Sequence, residues 1–91
     1  MIEKLAGRMR GEMNDCLYYA EYAVKYKETC PELASLYRIL SEKEHSHAAA
    51  IYDAAKKIAA KEEWEEKLLE YEKSIVDERA EEAKKLWAKI K

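Results

Sequence analysis

Apolar residues recur at alternating steps of three and four on both sides of a single proline, a pattern that restricts the chain to helices packed side by side. Before Pro31 the series reads Ile2, Leu5, Met9, Glu12, Cys16, Tyr19, Ala23 and Tyr26. After it comes Leu33, Tyr37, Leu40, Glu44, His47, Ile51, Ala54 and Ile58. Steps of three and four keep each series on one stripe of its helix, because a helical turn holds about 3.6 residues. The break between the stripes is explicit: Thr29-Cys30-Pro31-Glu32 offers a capping box from Thr29 to Glu32, with proline tolerated in the first turn.

The spacing predicts helices over about 2–27, 31–60 and 62–90. The second break has no glycine, proline or strong cap in Ala59-Ala60-Lys61-Glu62-Glu63, and is placed from geometry. One helix from 31 to 90 would run roughly 90 Å at about 1.5 Å per residue, whereas a turn near 60–63 gives three helices of similar length. Helix 3 carries Leu68, Leu69, Tyr71, Ile75, Val76, Ala80, Ala83, Leu86, Trp87 and Ile90. The expected fold is all-α: an antiparallel hairpin plus a third helix in one domain. Helix 1 has a second apolar row, Met13, Leu17, Ala20 and Val24, which must meet helix 3 or a second subunit. Gly7 and Gly11 lie within helix 1, where a close helix contact or fraying of the first turns would explain them.

With 91 residues a private core is thin, so a homo-oligomer, at least a dimer, is expected. Seventeen basic and nineteen acidic residues are spread along the chain without a basic stripe, which argues against nucleic acid as a partner. No apolar run approaches the roughly 18 residues needed to span a bilayer, so no membrane partner is expected. Cys16 and Cys30, fourteen residues apart, would be roughly 20 Å apart if both lie on or beside helix 1, too far to bridge. Reduced thiols fit a cytoplasmic setting. No Cys-x-x-Cys pair exists, so neither a rubredoxin-type iron centre nor a zinc ribbon can come from this chain.

Three ionisable residues occupy stripe positions where leucine would be expected: Glu12, Glu44 and His47. Burying an unpaired carboxylate costs several kcal/mol, so a cation must compensate or the carboxyl must become neutral. Glu44 and His47 are three residues apart and project from one turn. Glu12 lies seventeen residues before Thr29 and Glu44 fifteen after it, which puts them at nearly one height in an antiparallel hairpin. Two carboxylates with an imidazole suit iron or manganese and tolerate zinc. The other reading of these residues is a buried polar cluster that sets helix register. Glu42 and His45 repeat the same spacing but fall off the stripe and read as solvent-facing. Glu78, counted back from the second turn, lies close to the height of Glu44 and reads either as a solvated glutamate beside Arg79 or as a further ligand or entry-site carboxylate. Trp64 and Trp87 read as packing anchors, with a subunit contact as one place for them, and Cys16 as a small apolar residue.

A glutamate, thirty-one intervening residues and then Glu44-His45-Ser46-His47 resembles the half-site of ferritin-like di-iron carboxylate proteins, including rubrerythrins and the short encapsulated ferritins. Ala34-Ser35-Leu36-Tyr37 and Ser41-Glu42-Lys43-Glu44-His45 add to the likeness, which covers about residues 5–58. A complete four-helix member carries a second glutamate and a second Glu-x-x-His, yet helix 3 has no histidine. The resemblance therefore implies a four-helix di-iron core completed by dimerisation, each chain donating Glu12, Glu44 and His47. It implies Glu44 as a bridging ligand, Glu12 and His47 as terminal ligands, and oxidation of Fe(II), with Tyr18, Tyr19 and Tyr22 nearby. A rubrerythrin-like peroxide reductase with an external electron donor, or a non-catalytic helical module, are the alternatives. It also brings an encapsulin shell into view, against which stands the absence of a loading tail after Leu86-Trp87-Ala88-Lys89-Ile90-Lys91.

Overall fold

A computed structural model describes residues 1–90 and consists of three helices: α1 (Ile2–Tyr26), α2 (Pro31–Ala59) and α3 (Glu63–Trp87). They lie side by side in a rod of 50 × 17 × 15 Å. Glu32 opens α2 and Lys56 and Lys57 close it; Glu63, Glu65 and Glu66 open α3 and Lys84 and Lys85 close it. Both arrangements complement the helix dipole.

The first turn is tied by the Cys30 amide donating to the Tyr26 carbonyl at 2.8 Å. Cys30 occupies the cap position of α2 with no side-chain cap, so the expected Thr29–Glu32 box does not form. Pro31 in the first turn, which needs no amide donor, starts this helix without it. At the second turn Ala60 stays helical and Glu62 becomes extended, at φ −131° and ψ 124°. No described residue needs a positive φ. A chain that reverses this way requires no glycine, which is why composition marks the turn so weakly.

The core differs from the stripes read in the sequence by a rotation. On α1 the buried line is Ile2, Ala6, Met9, Met13, Cys16, Ala20 and Ala23, which runs between the two apolar rows. On α2 it is Ala34, Ser41, Ala48, Ala55 and Ala59. The expected α2 seam lies beside that line: Leu33, Tyr37, Leu40, Glu44 and Ile51 are half-buried, and His47, Ala54 and Ile58 are exposed. The cause is α3, which packs into the same groove. Leu69, Val76, Ala80 and Ala83 enter the shared core, with Leu17, Leu68, Leu86 and Trp87 around it. A core shared by three helices turns each helix toward the common axis, and the face of the hairpin away from α3 stays open.

Parallel to α1, α3 is cross-linked to it by Arg10 to Glu72 at 3.0 Å and by Arg79 to Asn14 at 2.7 Å. Glu72 is buried, with one carboxylate oxygen lacking a hydrogen-bond partner. The sequence stripe on helix 3 passed over this residue and included Tyr71, which is 63% exposed. Trp64 is also exposed and is not part of the core cluster, whereas Trp87 packs against the core.

Neither Gly7 nor Gly11 makes a close contact: a Cβ at either position would meet nothing within 4 Å, and α1 is continuous through both. Replacing either by alanine should therefore stabilise the single-chain fold by about 0.5–1 kcal/mol. For a domain of this size that is a rise of several degrees in melting temperature. An unchanged or lower melting temperature in Gly7→Ala would show that this surface is packed against something.

Candidate metal centre

The three residues singled out by their misplaced charge meet on the open face of the hairpin. One ligand atom from each of Glu12, Glu44 and His47 lies within 4.8 Å of the others. His47 Nδ1 is 2.8 Å from Glu44 Oε1 and 3.8 Å from Glu12 Oε2. α1 presents Glu12 one turn before buried Cys16, and α2 presents Glu44 one turn after buried Ser41, so the two elements of the hairpin bring them face to face. The carboxylate side chains are mostly enclosed, at 18% and 17% exposure, while the imidazole is 58% exposed. The site is thus walled on the α1–α2 side and open outward, not interior as the stripe implied.

Desolvation raises the Glu44 carboxyl above its ordinary value, and the neighbouring Glu12 adds to this through a shared hydrogen bond and like charge; His47 opposes both. Nearby, Arg8 reaches Glu12 only at 3.8 Å and is itself 71% exposed, so it neutralises little. Two carboxylates held together with one imidazole and no close permanent cation are a donor set with unmet demand for positive charge. That is an environment a divalent ion satisfies.

The remaining candidates fall elsewhere. Glu42 pairs with Arg38 at the surface at 3.6 Å, and Glu78 is exposed. His45 is not solvent-facing as expected: it is half-buried, edge-on to the Trp87 indole with ring centroids 5.9 Å apart. The hydrogen bonds formed by Tyr18, Tyr19 and Tyr22 do not include one to the site; Tyr18 donates to the Tyr22 hydroxyl. These rings join Tyr26 and Tyr37 in an aromatic cluster, Tyr19 lying 5.9 Å from Tyr37. The cluster sits one heptad from the ligands, about 10 Å along the helices. Cys16 and Cys30 are both free thiols, and burial pushes the Cys16 thiol up.

The reading of the sequence missed Ser41. Its hydroxyl is fully buried, donates to the Cys16 carbonyl at 2.6 Å and accepts from the Trp87 indole at 2.7 Å. A serine flanked at seven-residue steps by Ala34 and Ala48 was the available signal.

A helical hairpin carrying a carboxylate–histidine half-site defines a recognisable class. The rubrerythrin family model matches residues 3–90, and the chain belongs to that family, a group of ferritin-like di-iron carboxylate proteins whose members typically bind iron. No curated protein and no solved structure matches the chain significantly. No helix among the described residues is long and apolar enough to cross a membrane.

Proposed function

We propose that this protein binds iron at a site shared between two copies of the chain and oxidises Fe(II) to Fe(III). The observation that carries this reading is the convergence of Glu12, Glu44 and His47 to within 4.8 Å on an open face. One chain supplies half of the ligands of a four-helix di-iron protein, and a two-fold axis supplies the same residues twice. The face around the site favours such pairing. Leu36 and Ile58, 50% and 42% exposed, extend the stripe of Leu40, His47 and Ile51 in both directions from the ligands. An apolar stripe of that length is a surface for a partner helix.

In the pair, Glu12, Glu44 and His47 of both chains would together hold the two ions. Carboxylate donors favour the higher charge of Fe(III), and two adjacent irons supply two electrons together. With oxygen, two Fe(II) each lose one electron, and O2 takes two electrons and two protons to give H2O2. Mn or Zn could occupy the same donors, and Zn, which has no redox chemistry, would not perform the electron transfer.

Membership in the rubrerythrin family favours a second oxidant. Hydrogen peroxide would take two electrons and two protons to give two waters, and sustained turnover would need an electron donor outside these 91 residues, which hold no Cys-x-x-Cys pair. Stopped-flow oxidation of the Fe(II)-loaded protein separates the two, by whether peroxide outpaces oxygen. The first test is anaerobic titration of metal-free protein with Fe(II). One iron per chain, with the dimer as the loaded species by sedimentation, is expected; no tight binding would sink the reading and leave a polar cluster in a structural helical module inside or outside any shell.

A further inference from the structure

The line by which α2 enters the core is Ala34, Ser41, Ala48, Ala55 and Ala59, and only one of these carries a directional group. Alanine methyls form a smooth ridge. Apolar contact is non-directional, so such a ridge brings α2 close to its neighbours without dictating its rotation about its own axis. Rotation matters here, because 100° separates successive side chains and the Glu44 carboxylate must face Glu12 on a different helix.

Ser41 supplies the missing direction. Helical serines commonly bond back to a carbonyl of their own preceding turn, as Ser46 does to Glu42. Ser41 instead donates across to the Cys16 carbonyl of α1 at 2.6 Å and accepts from the Trp87 indole of α3 at 2.7 Å, with the Cys16 sulfur 3.4 Å away. All three helices thus meet at one hydroxyl, fully shielded from water. The joint lies one turn from both ligands that must face each other, since Cys16 follows Glu12 by four residues and Ser41 precedes Glu44 by three. Trp87 touches the same turn a second time through its edge contact with His45, the residue after Glu44.

From this we infer that Ser41 and Trp87 are positioning residues for the metal centre: the Trp87–Ser41–Cys16 junction sets the rotation of α2 that aims Glu44 and His47 at Glu12. In this arrangement α3 contributes no ligand yet acts on the site through its final turn. Hydrogen bonds lose strength steeply with misalignment, so the junction resists rotation in a way the alanine ridge does not. The inference rests on the proposed metal site for its functional consequence but not for its structural one.

The test uses Ser41→Ala and Trp87→Phe, the second keeping an aromatic ring while deleting the N–H. Two readouts are taken on each. The first needs no metal: Tyr19 and Tyr37 lie one heptad from Glu12 and Glu44 on the same faces, so nuclear Overhauser contacts between their rings, 5.9 Å apart, report the rotation directly. The second is the affinity and visible spectrum of bound Co(II). We expect both variants to keep the parent helix content, to weaken the Tyr19–Tyr37 contacts, and to bind Co(II) roughly 10–100-fold less tightly with an altered spectrum, as for lost groups that orient metal ligands. Parent-like ring contacts with parent-like Co(II) binding in Trp87→Phe would overturn the inference, even if Ser41→Ala failed to fold. If the parent itself bound no Co(II), the metal-site reading would fall, and the ring contacts alone would still decide whether the junction orients α2.

Discussion

Glu44→Gln is expected to lose metal binding and at the same time to stabilise the metal-free protein at neutral pH. Removal of groups that merely orient ligands costs about 10–100-fold in affinity, so loss of a charged carboxylate that the proposed site uses as a ligand should cost at least about 100-fold. The gain in stability follows from electrostatics. Burial and Glu12 raise the Glu44 carboxyl above its ordinary value, the one it has in an unfolded chain. A carboxyl raised in this way contributes stability that is fully present below the unfolded value and is lost as pH climbs through the folded one. At neutral pH the parent has lost it, whereas glutamine keeps the shape without the charge. Denaturant melts of metal-free protein should therefore show Glu44→Gln more stable than the parent at pH 7, with the difference closing near pH 4. Saturating metal should reverse the order, because ligand that binds only the folded state adds about 2.7 kcal/mol at a hundred times its dissociation constant. A variant less stable than the parent at pH 7 without metal would show that the carboxylate is satisfied by the protein alone.

Leu36→Glu is expected to leave the single-chain fold intact while abolishing both pairing and tight iron binding. Leu36 is half exposed, so a glutamate there removes little from the core. In the proposed pair the same position lies in the buried stripe, where an unpaired carboxylate costs several kcal/mol. An effect of that size is on the order of a thousandfold in the dimer constant at about 1.4 kcal/mol per factor of ten. In the proposed pair half of the ligands come from each chain, so iron affinity should fall with assembly although no ligand has been touched. Circular dichroism, sedimentation and anaerobic Fe(II) titration on one preparation read the three quantities. A variant that pairs and loads as the parent does would place the shared site on another face.

The two mutations separate what each part of the site contributes. Glu44 acts through its own atoms, whereas Leu36 acts only through the second chain. Agreement between them would tie iron, pairing and the open face of the hairpin to one another without recourse to the reaction itself.

Much of this architecture was legible in the residues. The three-four spacing of apolar positions around Pro31 marked two helices and their turn, and the charge of Glu12, Glu44 and His47 on those stripes marked a cluster that the fold does bring together, because helical periodicity converts position in the chain directly into position on a face. Their shared height followed from counting outward from the same turn. Rotation was another matter. It depends on where the third helix packs, and α3 drew the core onto Ala34, Ser41, Ala48 and Ala55, a line of small residues beside the larger apolar ones. Small size reads as neutral in a sequence and as proximity only once three helices share an axis. The open face, the half-exposed imidazole of His47, the pairing of Arg10 with buried Glu72 and the junction at Ser41 all follow from that packing. Each joins groups on different helices, and local periodicity carries no information about such pairs.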